Sequence, residues 1–224
     1  MQRPAVLVPG LTAKPWHDAA NYDALLCSLR AAHDVLAAGW ASVWAAGRMR
    51  PQAEGLQEPG QRWSVFDIGA ACESEATRQG PAVQSEADES ASTAATVAMR
   101  STAMATHTPL QRVCELLAQL RRDGRTSSPP YEPLKAQFST MAPGVHVRPH
   151  TGPTNAKLTL HYGLAVPEGT SIRVASERRP FAQRGLIAFD DSFVHEVWHD
   201  GSGHRTTLVL HVAHPGMGGR EMRS

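Results

Sequence analysis

Cysteine is scarce in this chain: Cys27, Cys72 and Cys114 are the only three among 224 residues, and no two of them form a CxxC pair. That spacing argues against a disulfide-stapled secreted scaffold and against a cysteine-based zinc module, and it points to a reducing compartment. Long apolar runs are missing as well. No stretch reaches the roughly 18 apolar residues that span a bilayer, and the opening MQRPAVLVPG has neither an apolar h-region nor a cleavage site. No transmembrane segment is expected, and a cytoplasmic location is. An excess of one charge sign is likewise absent, since 22 Lys and Arg face 21 Asp and Glu. No basic field marks out a nucleic-acid partner. A chain of 224 residues suits one buried core better than two.

A local shortage is sharper. Between about residues 70 and 105 there is no Leu, Ile, Phe, Trp or Tyr, so this Ala/Ser/Thr-rich stretch is expected to be a flexible insertion in a single domain covering 1–224. Before it, Leu25, Leu26, Leu29, Ala32, Val35, Leu36 and Trp40 recur at three-and-four spacing, which predicts a helix over 22–46. Residues 63–68 alternate as a strand, and PLQRVCELLAQL (109–120) reads as an amphipathic helix with Pro in its first turn. Beyond it, short runs at 137–142, 158–166, 172–175, 186–189, 196–198 and 206–211 are separated by turn signals such as PEG, RG, DD and DGSG. Many short strands preceded by helices predict a mainly β fold with flanking helices, its core a double-stranded β-helix of the jelly-roll, cupin-like kind.

Histidine is what the sequence has in excess: eight of eleven lie between His146 and His214. Imidazole is the commonest transition-metal ligand and titrates near neutrality, so the crowding points to a metal or an acid–base site. Pro149 and the turn Thr151-Gly152-Pro153 leave His150 at a strand end, while Asp190-Asp191-Ser192 forms a turn before His195. Two histidines at opposite strand mouths of a jelly roll can meet at one metal. Arg205 follows His195 by ten residues with a Gly-rich turn between; on an antiparallel hairpin both point to one face, at a reach that suits the far carboxylate of a metal-chelating dicarboxylate. Alternation along 157–163 places Lys157, Thr159 and His161 on the cavity face and Leu158, Leu160 and Tyr162 on the core face. Asp190 and Asp191 read as turn caps, and Cys27 and Cys114 as small core residues of helices. A zinc site that His146, His199, His204 and His211 complete together with His150 and His195 stays open as a minor alternative.

Together PHTGPTN, LHYGL, VPEG, IRV, FDDSFVHEVW, the closing His214-Pro215 and the N-terminal LVPGLTAKPW resemble the aspartyl/asparaginyl β-hydroxylase family of Fe(II) and 2-oxoglutarate dioxygenases. The resemblance implies that His150 and His195 ligate Fe(II), that Ser139, His161 and Arg205 hold 2-oxoglutarate with Arg205 on its distal carboxylate, and that Trp63 lies beside the cosubstrate pocket. It implies consumption of dioxygen, conversion of 2-oxoglutarate to succinate and hydroxylation of a substrate carbon, in first place on an Asp/Asn-type peptide side chain. Gly152 stands where most 2-oxoglutarate oxygenases carry a third, carboxylate ligand. Thr159 stands where vertebrate-type members have a substrate-reading arginine, with Lys157 on the same face as a weaker substitute. The paired cysteines of those enzymes are expected to be missing, with only Cys114 in place. A peptide or a small molecule is the expected partner. A same-family hydroxylase of an acyl chain or metabolite, and a non-enzymatic metal-binding module, remain the alternatives.

Overall fold

In a computed structural model of the protein, residues 4–52, 55–57, 60, 62–79 and 107–217 are described. In chain order the elements are β1 (Trp16–His17), α1 (Asp23–Ala31), α2 (His33–Ala45), β2 (Arg50–Pro51), β3 (Trp63–Asp67), α3 (Ile68–Gln79) and α4 (Pro109–Thr126). The β region follows as β4 (Pro133–Met141), β5 (His146–His150), β6 (Lys157–Ala165), β7 (Thr170–Val174), β8 (Glu177–Pro180), β9 (Leu186–Phe189), β10 (His195–His199) and β11 (Arg205–Ala213). Seven strands in the order β1-β9-β6-β11-β4-β3-β2 face four in the order β5-β10-β7-β8. Every strand pair is antiparallel. This is the double-stranded β-helix that the spacing of short strands predicts.

Alternation divides the major sheet cleanly. Phe66, Phe138, Leu158, Leu160, Tyr162, Leu208, Leu210 and Val212 are buried on its outer face against Leu25, Leu29, Leu36, Val43, Val113, Leu117 and Leu120 of the helices. Each such side chain contributes about 1.5–3 kcal/mol when fully buried. The helices approach closely because α2 carries glycine at the crossing: a Cβ on Gly39 would sit 2.4 Å from a Val113 methyl. Thr108 starts α4 with a reciprocal capping box to Gln111, followed by Pro109. The inner face, opposite, packs Met141 and Phe189 against Val147, Ile172, Val174 and Val197 of the minor sheet, and leaves a cavity at the remaining positions. Among the described residues no helix is long and apolar enough to cross a membrane.

Five expectations are corrected. The helix read over 22–46 is two helices, broken at Ala32 (φ −94°, ψ 12°). Residues 70–79, counted with the Ala-rich insertion, belong to α3, which buries Ala71; small side chains are enough to seat a helix tightly against α4. The rest of that insertion lies outside the described residues. Cys72 of α3 is disulfide-bonded to Cys114 of α4, so the expected absence of a cysteine pair does not hold. The sequence separation of 42, most of it in the Ala/Ser-rich stretch, hid the pairing, and the bond removes the ground on which cysteine usage pointed to a reducing compartment. Cys27 is exposed rather than a core residue. Finally, β10 and β11 form no hairpin: they lie in different sheets, so His195 and Arg205 face the cavity from opposite walls rather than from one.

Candidate active site

The row of inward-facing residues on β11 is Arg205, Thr207, Val209 and His211, flanked on β4 by Met141, Ser139, Gln137 and Lys135 and on β6 by Gly163, His161 and Thr159. His150 on β5 and His195 on β10 are register partners in the opposite sheet. Together these rows line a cavity of about 220 Å³.

At its metal-binding candidate end the rings of His150 and His195 have centroids 4.1 Å apart. Each ring is oriented by its own strand: His150 Nδ1–H donates to the Arg148 carbonyl at 2.7 Å, and His195 Nδ1–H to the Phe193 carbonyl at 3.0 Å. A carbonyl can only accept, so both rings carry their proton on Nδ1 and both Nε2 atoms keep a free lone pair, the form a metal requires. Burial, and then the neighbouring His150, push the His195 pKa down to about 4; burial lowers that of His150 as well. Both imidazoles are therefore neutral at pH 7.

No third protein ligand joins them: among the described residues no group of three or more His, Cys, Asp or Glu is placed to hold an ion. A carboxylate is nevertheless close by. Asp191, read from sequence as a turn cap, does not cap the turn, its backbone carbonyl accepting from the Gly152 amide instead, while Asp190 Oδ1 accepts from the Ser192 amide as expected. Asp191 Oδ2 accepts from Lys157 Nζ and from Thr159 Oγ1, and its Oδ1 is buried without a hydrogen-bond partner. An ideal Cβ on Gly152 would lie 2.4 Å from Asp191 Cγ and Oδ1. Asp191 thus occupies the room that a side chain at position 152 would need. Lys157 and Thr159 are accordingly tied to Asp191 rather than held open to the mouth.

At the far end Arg205 is 1% exposed. Its guanidinium carbon lies 3.9 Å from the Phe181 ring centroid, one terminal nitrogen donates to His161 Nδ1 at 3.2 Å, and another meets Met141 Sδ at 3.5 Å. No carboxylate neutralises it among these contacts, and burial lowers its pKa to about 9. Its Nε and the hydroxyl of Thr207 are buried without partners. Trp63 Nε1–H donates to Ser139 Oγ at 3.0 Å, which leaves the serine proton free to donate inward. Because His161 Nδ1 accepts from Arg205, its Nε2 carries the remaining proton, and burial holds its pKa well below the ordinary value. Arg205 Nε, Thr207 Oγ1, Ser139 Oγ and His161 Nε2 are thus four donors at one end of the cavity, a cradle for a buried anion.

The structure brings His150, His195, Ser139, His161, Arg205, Trp63 and Thr159 onto one cavity, with Lys157 bound to its wall through Asp191. Thr207 and Asp191 escape a reading of motifs alone. Thr207 was signalled by the alternation on β11, and Asp191 by nothing local, because its partners are 32 and 34 residues away. Three histidines of the zinc alternative are engaged elsewhere: His146 Nε2 donates to Glu196 at 2.9 Å, His199 Nε2 donates to the Gly203 carbonyl, and His204 meets Trp44 edge-on; only His211 lines the cavity with His150 and His195.

The chain is 47% identical to mouse aspartyl/asparaginyl beta-hydroxylase over 89 residues, 39% of this chain and 12% of that protein. The human protein of that name is 46% identical over the same length. Mouse aspartate beta-hydroxylase domain-containing protein 1 is 36% identical over 92 residues, 40% of this chain and 26% of that one. Among solved structures, the cupin domain of Schizosaccharomyces pombe Cnp3 aligns at TM-score 0.32 and 10% identity over 35% of this chain and 55% of that one. The family model for aspartyl/asparaginyl beta-hydroxylase matches residues 70–215, which take in α4, strands β4 to β11 and the cavity-lining residues named above except Trp63. With well over half its length so matched, the chain belongs to the aspartyl/asparaginyl β-hydroxylase family of hydroxylase enzymes.

Proposed function

We propose that the protein is an Fe(II)- and 2-oxoglutarate-dependent dioxygenase that hydroxylates a carbon of an Asp/Asn-type side chain in a peptide. The observation that carries the reading is the pairing of two incomplete ends in one cavity: two neutral imidazoles with free Nε2 atoms, and a buried, unneutralised guanidinium with unpartnered donors beside it.

The residues fit both groups. His150 and His195 would hold Fe(II), imidazole suiting that metal, and Asp191 Oδ1, buried without a partner, would be left as an acceptor beside them. Arg205, Thr207 and Ser139 would hold the distal carboxylate of 2-oxoglutarate, which meets the demand of the buried cation for an anion. Bound Fe(II) supplies, with 2-oxoglutarate and dioxygen, the oxidative decarboxylation that drives C–H hydroxylation. The protein fixes the imidazole tautomers, holds the cosubstrate by charge at one end, and uses Phe181, Phe189, Ile172 and Val197 to keep water from the walls. Lys157 and Thr159 fix Asp191 so that its free oxygen keeps one orientation.

The test is formation of succinate from 2-oxoglutarate by the purified chain with Fe(II), ascorbate and air. Turnover that disappears in His195→Ala is expected. Iron retention with no succinate above a metal-free control sinks the reading.

A further inference from the structure

We propose that the cavity mouth selects a peptide side chain ending in an uncharged carboxamide and discriminates against a carboxylate; this deepens, and rests on, the hydroxylase reading above. The mouth is the outer end of the inward rows, where Lys135, His211 and Thr159 lie level across β4, β11 and β6, with Gln137 one step deeper and Gln52 at the rim.

A carboxylate offers only acceptors and a negative charge, so it needs a cation or free donors. Among the described residues, the two lysines at this mouth already face a carboxylate. Lys157 is buried against Asp191, and Lys135 Nζ lies 3.4 Å from Asp67 Oδ2. Thr159 Oγ1–H donates to Asp191 Oδ2 at 3.0 Å, so toward the cavity its oxygen serves as an acceptor only. An incoming carboxylate would meet that acceptor and the negative ends of two ion pairs. An ammonium would meet Lys157 and Lys135.

A carboxamide has both kinds of group. Its NH₂ matches the acceptor oxygen of Thr159. Its carbonyl matches an N–H of the neutral His211 imidazole, the register neighbour of Thr159, or the amide NH₂ of Gln137. Neither Gln137 nor His211 has a side-chain hydrogen bond among the described residues, and both line the cavity.

The experiment uses two pooled peptide libraries, randomised around a central Asn or a central Asp, with the full chain. Binding is measured with Mn(II) and 2-oxoglutarate under nitrogen, and oxygen incorporation by mass spectrometry with Fe(II), 2-oxoglutarate and air. The Asn pool is expected to bind about tenfold tighter, the worth of one well-made hydrogen bond, and to be the pool that gains oxygen. Asp67→Asn, which releases Lys135, is expected to narrow that gap, and Gln137→Leu to weaken the Asn pool selectively. Equal or tighter binding of the Asp pool overturns the proposal, as does modification of neither pool. In either case succinate formed without peptide leaves the hydroxylase reading standing, whereas its absence removes both.

Discussion

Gly152 and Asp191 share one volume: the glycine has no Cβ, and the carboxylate of the aspartate, whose backbone carbonyl accepts from the Gly152 amide at 2.6 Å, lies where that Cβ would begin. The site therefore exchanges a side chain two residues after its first histidine for one four residues before its second.

Gly152→Ala is expected to push Asp191 off its position and to destabilise the fold by about 1–3 kcal/mol, the usual cost of overpacking. Gly152→Asp should cost more, since it sets a second carboxylate against the first. The double variant Gly152→Asp with Asp191→Gly should recover much of the loss, because it refills the same volume from the other segment. Urea unfolding of the metal-free proteins measures this, and additive effects in the double variant count against a shared volume.

Arg205 is a buried cation waiting for an anion. Arg205→Met is expected to raise the 2-oxoglutarate concentration for half-saturation by about 10–100-fold, as loss of charge-assisted hydrogen bonds worth about 1.5–3 kcal/mol implies. Arg205→Lys should fall between, keeping charge without the planar fork. In the absence of ligand the order reverses: the methionine variant is expected to melt at or above the wild-type temperature, since an unneutralised buried charge is removed. Added 2-oxoglutarate should raise the melting temperature of the wild type only. Equal ligand-induced shifts in both proteins contradict a carboxylate-binding role.

The parts of this site that the sequence discloses are those fixed by strand period and by contiguous motifs. Thr159 and His161 share a face because β alternation leaves no other choice, and PHTG and FDDSFVH place two histidines at strand ends. Arg205 was reached through a hairpin that does not exist. Its inward direction survived because residue parity along β11 sets the face whichever sheet the strand joins. What stayed hidden depends on contacts across the fold: Asp191 with Lys157, and Cys72 with Cys114. None of these has a local periodicity to betray it. The helix at Ile68–Gln79 was masked by its composition, since alanine and serine carry little amphipathic signal even where Ala71 is buried.

His211 sets a pH dependence of opposite sign to that of an ion-paired histidine. Burial, then Lys157, lower its pKa to about 4, with Lys135 acting the same way and Asp191 and Asp67 opposing, whereas in the unfolded chain it is about 6.5. Between these values the unfolded state binds the proton and the native state does not, so stability falls as pH drops from about 6.5 toward 4 and levels off beyond both limits. His17, His33, His150, His161 and His195 are shifted the same way, each by burial first. Urea unfolding across this window should show that slope, and His211→Gln should reduce it by up to about 1.4 kcal/mol per pH unit, one proton's share. An unchanged slope shows that the ring is protonated alike in both states.

The Cys72–Cys114 bond ties α3 to α4 across a closed segment of 42 positions. Chain-entropy arguments give up to about 4 kcal/mol for a loop of that length, and disulfides typically contribute about 2–4 kcal/mol. Both helices pack on the outer face of the major sheet, whose inner face carries Ser139 and Arg205. Cys72→Ser with Cys114→Ser is therefore expected to lower the unfolding free energy by that amount while succinate formation below the transition is retained. Reductant should lower the melting temperature of the wild type and leave that of the double variant in place. Loss of turnover at temperatures where the variant is still folded would show that the two helices do more than support the sheet from behind.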